Sequence, residues 1–247
     1  MSKIYTNNYP FLNLYKKPQA KSEIVTQIIY GESFKILQTS KKWLKIKIKE
    51  DGYIGFIKKR NFFNQITPTH KVSSLSANTY KKPSLKNKIG KLPYLSKIRI
   101  VQKFSKFSKF NNQWIESKYI KPINYKNKNY FKDIKIFKNV KYKWGGKTFD
   151  GIDCSALVQV QLNFNNKFCP RDTSQQVKYF KKNITLKKIN TNDVIYWKGH
   201  VAVAISKKKL IHAYGPRKKT VIMDIEKTIK LIKKTANLDV ISIKRIA

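Results

Sequence analysis

The sequence predicts a multidomain chain, two small all-β barrels followed by an α+β domain. Three observations carry that reading. The string Tyr-Lys-Lys-Pro occurs twice, at residues 15–18 and 80–83, in matching surroundings. The first 124 residues hold short, alternating strand patterns and no long helical period. From about Tyr125 the pattern changes to a helix-like stretch followed by near-continuous apolar runs, as in strands covered on both faces.

The duplicated part comes first. LNLYKKP is followed by Ile24, FKILQ and Trp43, and ANTYKKP by Ile89, IRIVQ and Trp114. The copies finish with YIGFIKKRNF and WIESKYIKP. Each unit spans about 60 residues of short strands and Lys/Asn/Ser loops, the pattern of a small barrel. The expected boundaries are residues 1–66, 67–124 and 125–247. His70 falls in the expected linker between the barrels, in an exposed position. FSKFSKF at Phe104–Phe110 reads as a positively charged loop or strand edge.

The third part carries the chemistry. Its central segment, YKWGGKTFDGIDCSALV, runs from Tyr142 to Val158. Glycines at 145, 146 and 151 permit sharp turns and close approach of other groups. Asp153 and Ser155 can cap a helix, and ALVQVQL continues it with apolar residues at helical spacing. Cys154 therefore sits in the first turn of a buried helix, where the helix dipole favours thiolate. A base must share the thiol proton, and only His70, His200 and His212 are present. His200 opens the apolar run HVAVAI, and His212 lies near the end of KLIHAY, placed to orient a His200 ring. Cys169, just before Pro170, reads as an apolar core residue.

Composition narrows the alternatives. Hydrophobic residues make up 41% of 247, enough for a folded core. No run of about 20 apolar residues is present, so no membrane span is expected. MSKIYTNNYPFLNLYKK has no continuous apolar core and no small-residue cleavage site, so the expected location is cytoplasmic. Two cysteines make no disulfide framework. Too few His and Cys residues are available for a closed zinc site, no phosphate-binding glycine loop is present, and no cofactor is expected. The formal charge is +41, from 54 Lys+Arg against 13 Asp+Glu. The lysines are spread along the whole chain, arginine is scarce, and Lys, Asn, Ile, Phe and Tyr are all residues of A- and T-rich codons. The charge thus reads as compositional, with only weak, salt-sensitive attraction to polyanions and no specific nucleic-acid partner.

Two resemblances add to this. Residues 1–124 resemble tandem bacterial SH3-like domains, most specifically through DGYIGFI at Asp51–Ile57. Residues 125–247 resemble the NlpC family of papain-like cysteine peptidases, which cleave peptidoglycan peptides. Six motifs stand in family order: YKWGG, GIDCSALV, PRDTSQQ, NDVIYW, HVAVAI and LIHA. Ala156, Asn192 and Ala202 replace glycines of the family pattern. The resemblance implies an α+β papain-like catalytic domain with Cys154 as nucleophile, His200 as base and His212 as the orienting residue. It implies Tyr142 as an oxyanion donor beside the Cys154 N–H, although a core aromatic is the other reading. Asp153 is either a helix cap or a carboxylate for a substrate ammonium group. Ser155 is similarly open, and Tyr53 is the candidate contribution of the first barrel to substrate binding. Arg171 and Asp172 either bind substrate or hold domains together, and the structural role is the preferred reading. The implied activity is hydrolysis of the γ-D-glutamyl–L-diamino acid bond of peptidoglycan-derived peptides with a free N-terminal L-Ala, in wall recycling. Alternatives are a non-catalytic wall-peptide or polyanion binder, and an amidase or acyltransferase on the same frame. The sequence leaves the oligomeric state open.

Overall fold

A computed structural model describes residues 3–246 of the chain. Its contacts divide into two compact units, Met1–Tyr125 and Lys126–Ala247.

The first unit is built of strands. β1 (Ile4–Thr6), β2 (Phe11–Tyr15), β3 (Ile24–Ile29), β4 (Ser33–Thr39), β5 (Trp43–Ile48), β6 (Ile54–Lys58) and β7 (Phe63–Asn64) form one sheet in the order β3-β2-β6-β5-β4-β1-β7. In β5 the alternation of WLKIKI places Leu44, Ile46 and Ile48 inside, where they join Leu14, Ile28, Phe34 and Ile57 in one core. The next strands are β8 (His70–Val72), β9 (Ser76–Tyr80), β10 (Lys88–Pro93), β11 (Lys97–Ile98), β12 (Ile100–Phe104), β13 (Phe107–Phe110), β14 (Gln113–Glu116) and β15 (Ile120–Pro122). They pair as a five-stranded sheet, β10-β9-β14-β13-β12, and a three-stranded sheet, β11-β8-β15, over a separate core of Val72, Ala77, Leu92, Ile98, Phe110 and Ile115.

FSKFSKF lies at the sheet edge, as expected, and forms a hairpin: Phe104, at the end of edge strand β12, pairs with Phe107, Ser105 takes a positive φ of 49° at the turn, and Phe107 and Phe110 are buried. One expectation needs correction here. His70 is not linker. It begins β8, half-buried, with Thr69 Oγ1 2.9 Å from its Nδ1.

The second unit begins with the short pair β16 (Lys147–Thr148) and β17 (Gly151–Ile152), then α1 (Cys154–Phe164) and α2 (Thr173–Tyr179). β18 (Asn183–Ile184), β19 (Asp193–Trp197), β20 (His200–Ala204), β21 (Lys209–Tyr214), β22 (Lys219–Asp224) and β23 (Ser242–Arg245) make an antiparallel sheet in the order β18-β23-β19-β20-β21-β22. β19 and β20 are central, which is why their sequences are apolar on both faces: all of DVIYW is buried, as is VAVA. α1 packs against β20 and β21. A third helix, α3 (Ile225–Ala236), was not read from the sequence; Ile225, Thr228 and Ile232 form its buried stripe, and Asp224 caps it by accepting from Lys227 N–H. Bidentate pairing of Arg245 with Asp193, at 2.9 and 2.8 Å, fastens β23 to the start of β19. Among the described residues no helix is long and apolar enough to cross a membrane.

Candidate active site

The segment before α1 is shaped by close backbone approach. Gly145 has φ +70°, and a Cβ on Gly146 would collide with the Gly151 carbonyl. With that room, Gly146 O accepts from Asp153 N–H at 3.2 Å, and the chain turns directly into α1.

Asp153 is the cap of α1 and more. Its Oδ1 accepts from Ala156 N–H at 2.8 Å, Ser155 Oγ at 3.2 Å and Arg171 at 3.0 Å. Its Oδ2 accepts from Gly145 N–H at 2.9 Å and from Arg171 at 2.6 Å. The ion pair is almost fully enclosed, with side-chain exposures of 2% for Arg171 and 8% for Asp153. Arg171 also donates to Ser155 Oγ at 2.9 Å. Gln176 of α2 donates to Ser155 O at 3.0 Å and Pro170 O at 2.9 Å, tying the PRDTSQQ segment beneath the start of α1. Arg171 is therefore a structural clamp within this unit. A substrate ammonium at Asp153 would have to share oxygens that already accept five hydrogen bonds.

Cys154 opens α1 and is 5% exposed. Burial pushes its thiol up to about 11, and the nearby Asp153 charge adds to this. Hydrogen bonds with the Val201 backbone and the Thr173 side chain, and the Arg171 charge, work in the opposite direction without reversing it. The sequence leads one to expect a dipole-stabilised thiolate, but in this enclosed position desolvation outweighs the dipole. The Val201 bond places the thiol beside the start of β20, one residue from His200.

His200 and His212 meet on the sheet, His200 Nε2 2.9 Å from His212 Nδ1. His212 is fully buried, and its Nε2 lies 3.3 Å from Met223 Sδ. Tyr214 stacks on His212 with centroids 4.6 Å apart and planes 12° apart. Trp197 and Tyr214 flank His200 at 5.6 and 5.8 Å. Burial lowers His200, which as a residue keeps partial exposure, to about 4, and lowers His212 to about 3, with the His200 charge as second cause. Both imidazoles are neutral at pH 7.

Tyr142 is half-buried, and its backbone N–H is fixed to Lys218 O at 2.9 Å. Burial, then the charges of Cys154 and Asp153, raise its phenol well above the ordinary tyrosine range, so it is a hydroxyl donor near the thiol. Tyr53 lies in the first unit, packed against the core of the first sheet, with its N–H held by Asp51 Oδ1 at 3.0 Å. Cys169 is fully buried, with its sulfur 3.4 Å from Pro170 O. Asn192, where the family pattern has glycine, takes φ +76°, a conformation asparagine tolerates better than other side chains. Among the described residues no group of three or more His, Cys, Asp or Glu side chains is disposed to hold a metal. Met223 carried no sequence signal, since an isolated methionine in a strand looks like any core residue.

Residues 139–235 match the NlpC/P60 family, and residues 14–61 match the bacterial dipeptidyl-peptidase Sh3 domain. Dipeptidyl-peptidase 6 of Lysinibacillus sphaericus is 24% identical over 232 residues, 81% of this chain and 84% of that protein. The gamma-D-glutamyl-L-lysine dipeptidyl-peptidase of Bacillus subtilis (strain 168) is 24% identical over 234 residues, 83% of this chain and 77% of that protein. The crystal structure of an NlpC/P60 family protein from Bacillus cereus ATCC 10987 superposes with a TM-score of 0.84 at 16% identity, covering 98% of this chain and 99% of that one. An NlpC/P60 endopeptidase from Photobacterium damselae subsp. piscicida gives 0.59 at 14% identity over 97% of this chain and 70% of that one. These superpositions establish the fold. With an enclosed thiol at a helix start beside a histidine pair, and with those sequence matches, the chain is a cysteine peptidase that carries an NlpC/P60 domain at residues 139–235, preceded in sequence by an Sh3 domain at residues 14–61.

Proposed function

We infer that the enzyme hydrolyses the γ-D-glutamyl–L-diamino acid bond of peptidoglycan stem peptides that carry a free N-terminal L-Ala, releasing L-Ala-D-Glu for recycling. The observation that carries this reading is the placement of the Cys154 thiol at the start of α1, bonded to Val201 and so adjacent to the neutral His200–His212 pair. The bond specificity is supported by the activity for which the Bacillus subtilis relative is named, and the dipeptide product by the names of both relatives and of the Sh3 domain. We read the first unit as two tandem SH3-like barrels, residues 1–66 and 67–124, ahead of a catalytic domain at 125–247. Their separate cores and the repeated Tyr-Lys-Lys-Pro string support that division.

In this mechanism the resting pair is neutral thiol and neutral imidazole, because burial raises Cys154 and lowers His200. Proton transfer must therefore accompany attack. His200 takes the thiol proton as Cys154 Sγ bonds to the γ-carbonyl carbon. The oxyanion faces the Cys154 N–H and the Tyr142 hydroxyl. His200 then gives the proton to the departing amine of the diamino acid, leaving a thioester. Water, deprotonated by His200, releases the acid and restores the thiol. Asp153 holds the helix start, and Ser155 links it to Arg171. Contact of Asp153, Ser155 or Tyr53 with the substrate's ammonium is a further part of the proposal.

The test is mass spectrometry of the protein incubated with L-Ala-γ-D-Glu-meso-diaminopimelate and with its N-acetylated copy. Release of L-Ala-D-Glu from the free peptide alone is the expected result. Cleavage of both removes the N-terminal preference assigned to Asp153, Ser155 and Tyr53. Cleavage of neither, by a protein whose thiol still reacts with iodoacetamide, sinks the substrate assignment.

A further inference from the structure

His200, His212 and Met223 lie on one diagonal across three neighbouring strands. Val203 pairs with Ile211 and Ala204 with Leu210, so continuing that register brings Ala202 opposite His212, and His200 is two residues away on the same face. On the other side Val221 is opposite His212, and Met223 is two residues along. The diagonal is closed by His200 Nε2 to His212 Nδ1 at 2.9 Å and His212 Nε2 to Met223 Sδ at 3.3 Å.

A neutral imidazole has one N–H and one bare nitrogen, and which is which depends on its partners. The aromatic neighbours do not decide it. Tyr214 stacked on His212 fixes the plane of the ring but is indifferent to which nitrogen carries the proton. A thioether does decide it, because its sulfur accepts and has no proton to give. His212 Nε2 must then carry hydrogen, its Nδ1 must be bare, and His200 Nε2 must be the donor between the rings. That leaves His200 Nδ1 with the free lone pair. The reversed chain would set a nitrogen lone pair against sulfur and put hydrogen on His200 Nδ1, where it could not accept the thiol proton.

We propose that Met223 is a positioning residue that, through its N–H···S bond to His212, fixes the tautomers of both histidines and makes His200 Nδ1 the base for Cys154. This rests on the roles given above to Cys154 and His200. The lowered proton affinity of both rings is consistent with it: with neither ring charged at pH 7, the tautomer is what remains to be set. During attack His200 becomes an imidazolium, His212 Nδ1 keeps accepting its Nε2–H, and His212 stays neutral.

The experiment is ring ¹⁵N NMR at pH 7 on full-length protein carrying ¹⁵N-histidine. The chain has three histidines, and a His70→Gln variant leaves the two of interest. The expected spectrum shows hydrogen on Nε2 and a bare Nδ1 for both His200 and His212. In Met223→Leu, which keeps apolar bulk and loses the acceptor, His212 should show mixed tautomers, with kcat lowered roughly 3- to 10-fold, the size of one lost hydrogen bond, and KM little changed. Met223→Gln, whose side-chain oxygen can accept, should restore both. Hydrogen on His200 Nδ1 in the native protein overturns the proposal. So does Met223→Leu with native tautomers, whether or not kcat falls, because Met223 would then act only by packing. The native spectrum is read without substrate, so it stands or falls separately from the choice of peptide.

Discussion

The two halves of the catalytic centre are held by opposite means. On the helix side, a buried Asp153–Arg171 ion pair and its hydrogen bonds to Gly145, Ser155 and Ala156 fix the turn that carries Cys154. On the sheet side there is no formal charge at neutral pH; two imidazoles are boxed by Trp197 and Tyr214 and end on a thioether. A charged network specifies geometry by saturating its donors and acceptors, and its removal is costly because it strands a charge. A neutral relay costs less to bury but leaves the direction of its protons to be chosen. The nucleophile's scaffold should therefore fail through stability, and the base through proton affinity.

The largest effect separates the two cysteines. Cys154→Ala should reduce peptide hydrolysis by about 10⁴-fold or more, as loss of a covalent nucleophile does. Cys154→Ala also removes a buried sulfur hydrogen-bonded to Val201 and Thr173, so it should lose about 1 kcal/mol of stability as well. Cys169→Ala, which removes a fully buried sulfur away from the Asp153–Arg171 network, should keep native turnover and lose about 1 kcal/mol of stability. Steady-state kinetics and thermal melts on both variants check this, and activity surviving in Cys154→Ala would remove the assigned nucleophile.

Next in size is the charged side. Arg171→Met leaves the Asp153 carboxylate enclosed without its cation, and should cost about 3–5 kcal/mol in denaturant unfolding. Adding Asp153→Asn should recover part of that loss, because the stranded charge is gone while the amide oxygen can still cap Ala156. The strong non-additivity is the signature of a network. Additive losses would mean that Arg171 and Asp153 act independently and that the helix-side account is wrong.

The unequal legibility of the two halves has the same physical origin. Cys154 could be read because glycines, a capping Asp and an apolar helical period surround it locally. The strands of His200 and His212 could be read because central strands are apolar on both faces. The Arg171 clamp spans 18 residues, and nothing in PRDTSQQ alone says which carboxylate it meets. Met223 is invisible for another reason: its contact depends on strand register, which a single sequence does not give. The helix at Ile225–Ala236 did carry a signal, with Ile225, Ile229 and Ile232 at helical spacing, but the lysines between them obscure it. The thiol's proton affinity was misjudged because the dipole is a property of the helix end, whereas desolvation is a property of everything packed over it.

The smallest expected effect tests the neutral side. The folded state holds His200 and His212 below the ordinary histidine range of about 6.5, at about 4 and about 3. Above pH 6.5 neither state binds these protons, and the full stability is present. As pH falls, the unfolded chain takes up protons that the folded chain refuses, so stability is lost progressively from about pH 6.5 down through the folded values. At pH 5.5 the loss amounts to about 2 kcal/mol for the pair, the larger share belonging to fully buried His212, since the partial exposure of His200 lets water offset some of its shift. Urea unfolding at pH 7.5 and 5.5 measures it. A double variant, His200→Gln with His212→Gln, should lose most of that pH dependence. Activity should follow the same titration from the other direction, with kcat/KM holding through pH 6 and declining only toward pH 4. An acid limb near 6.5, unchanged from a free imidazole, would show a solvated base and erase the distinction between the two sides.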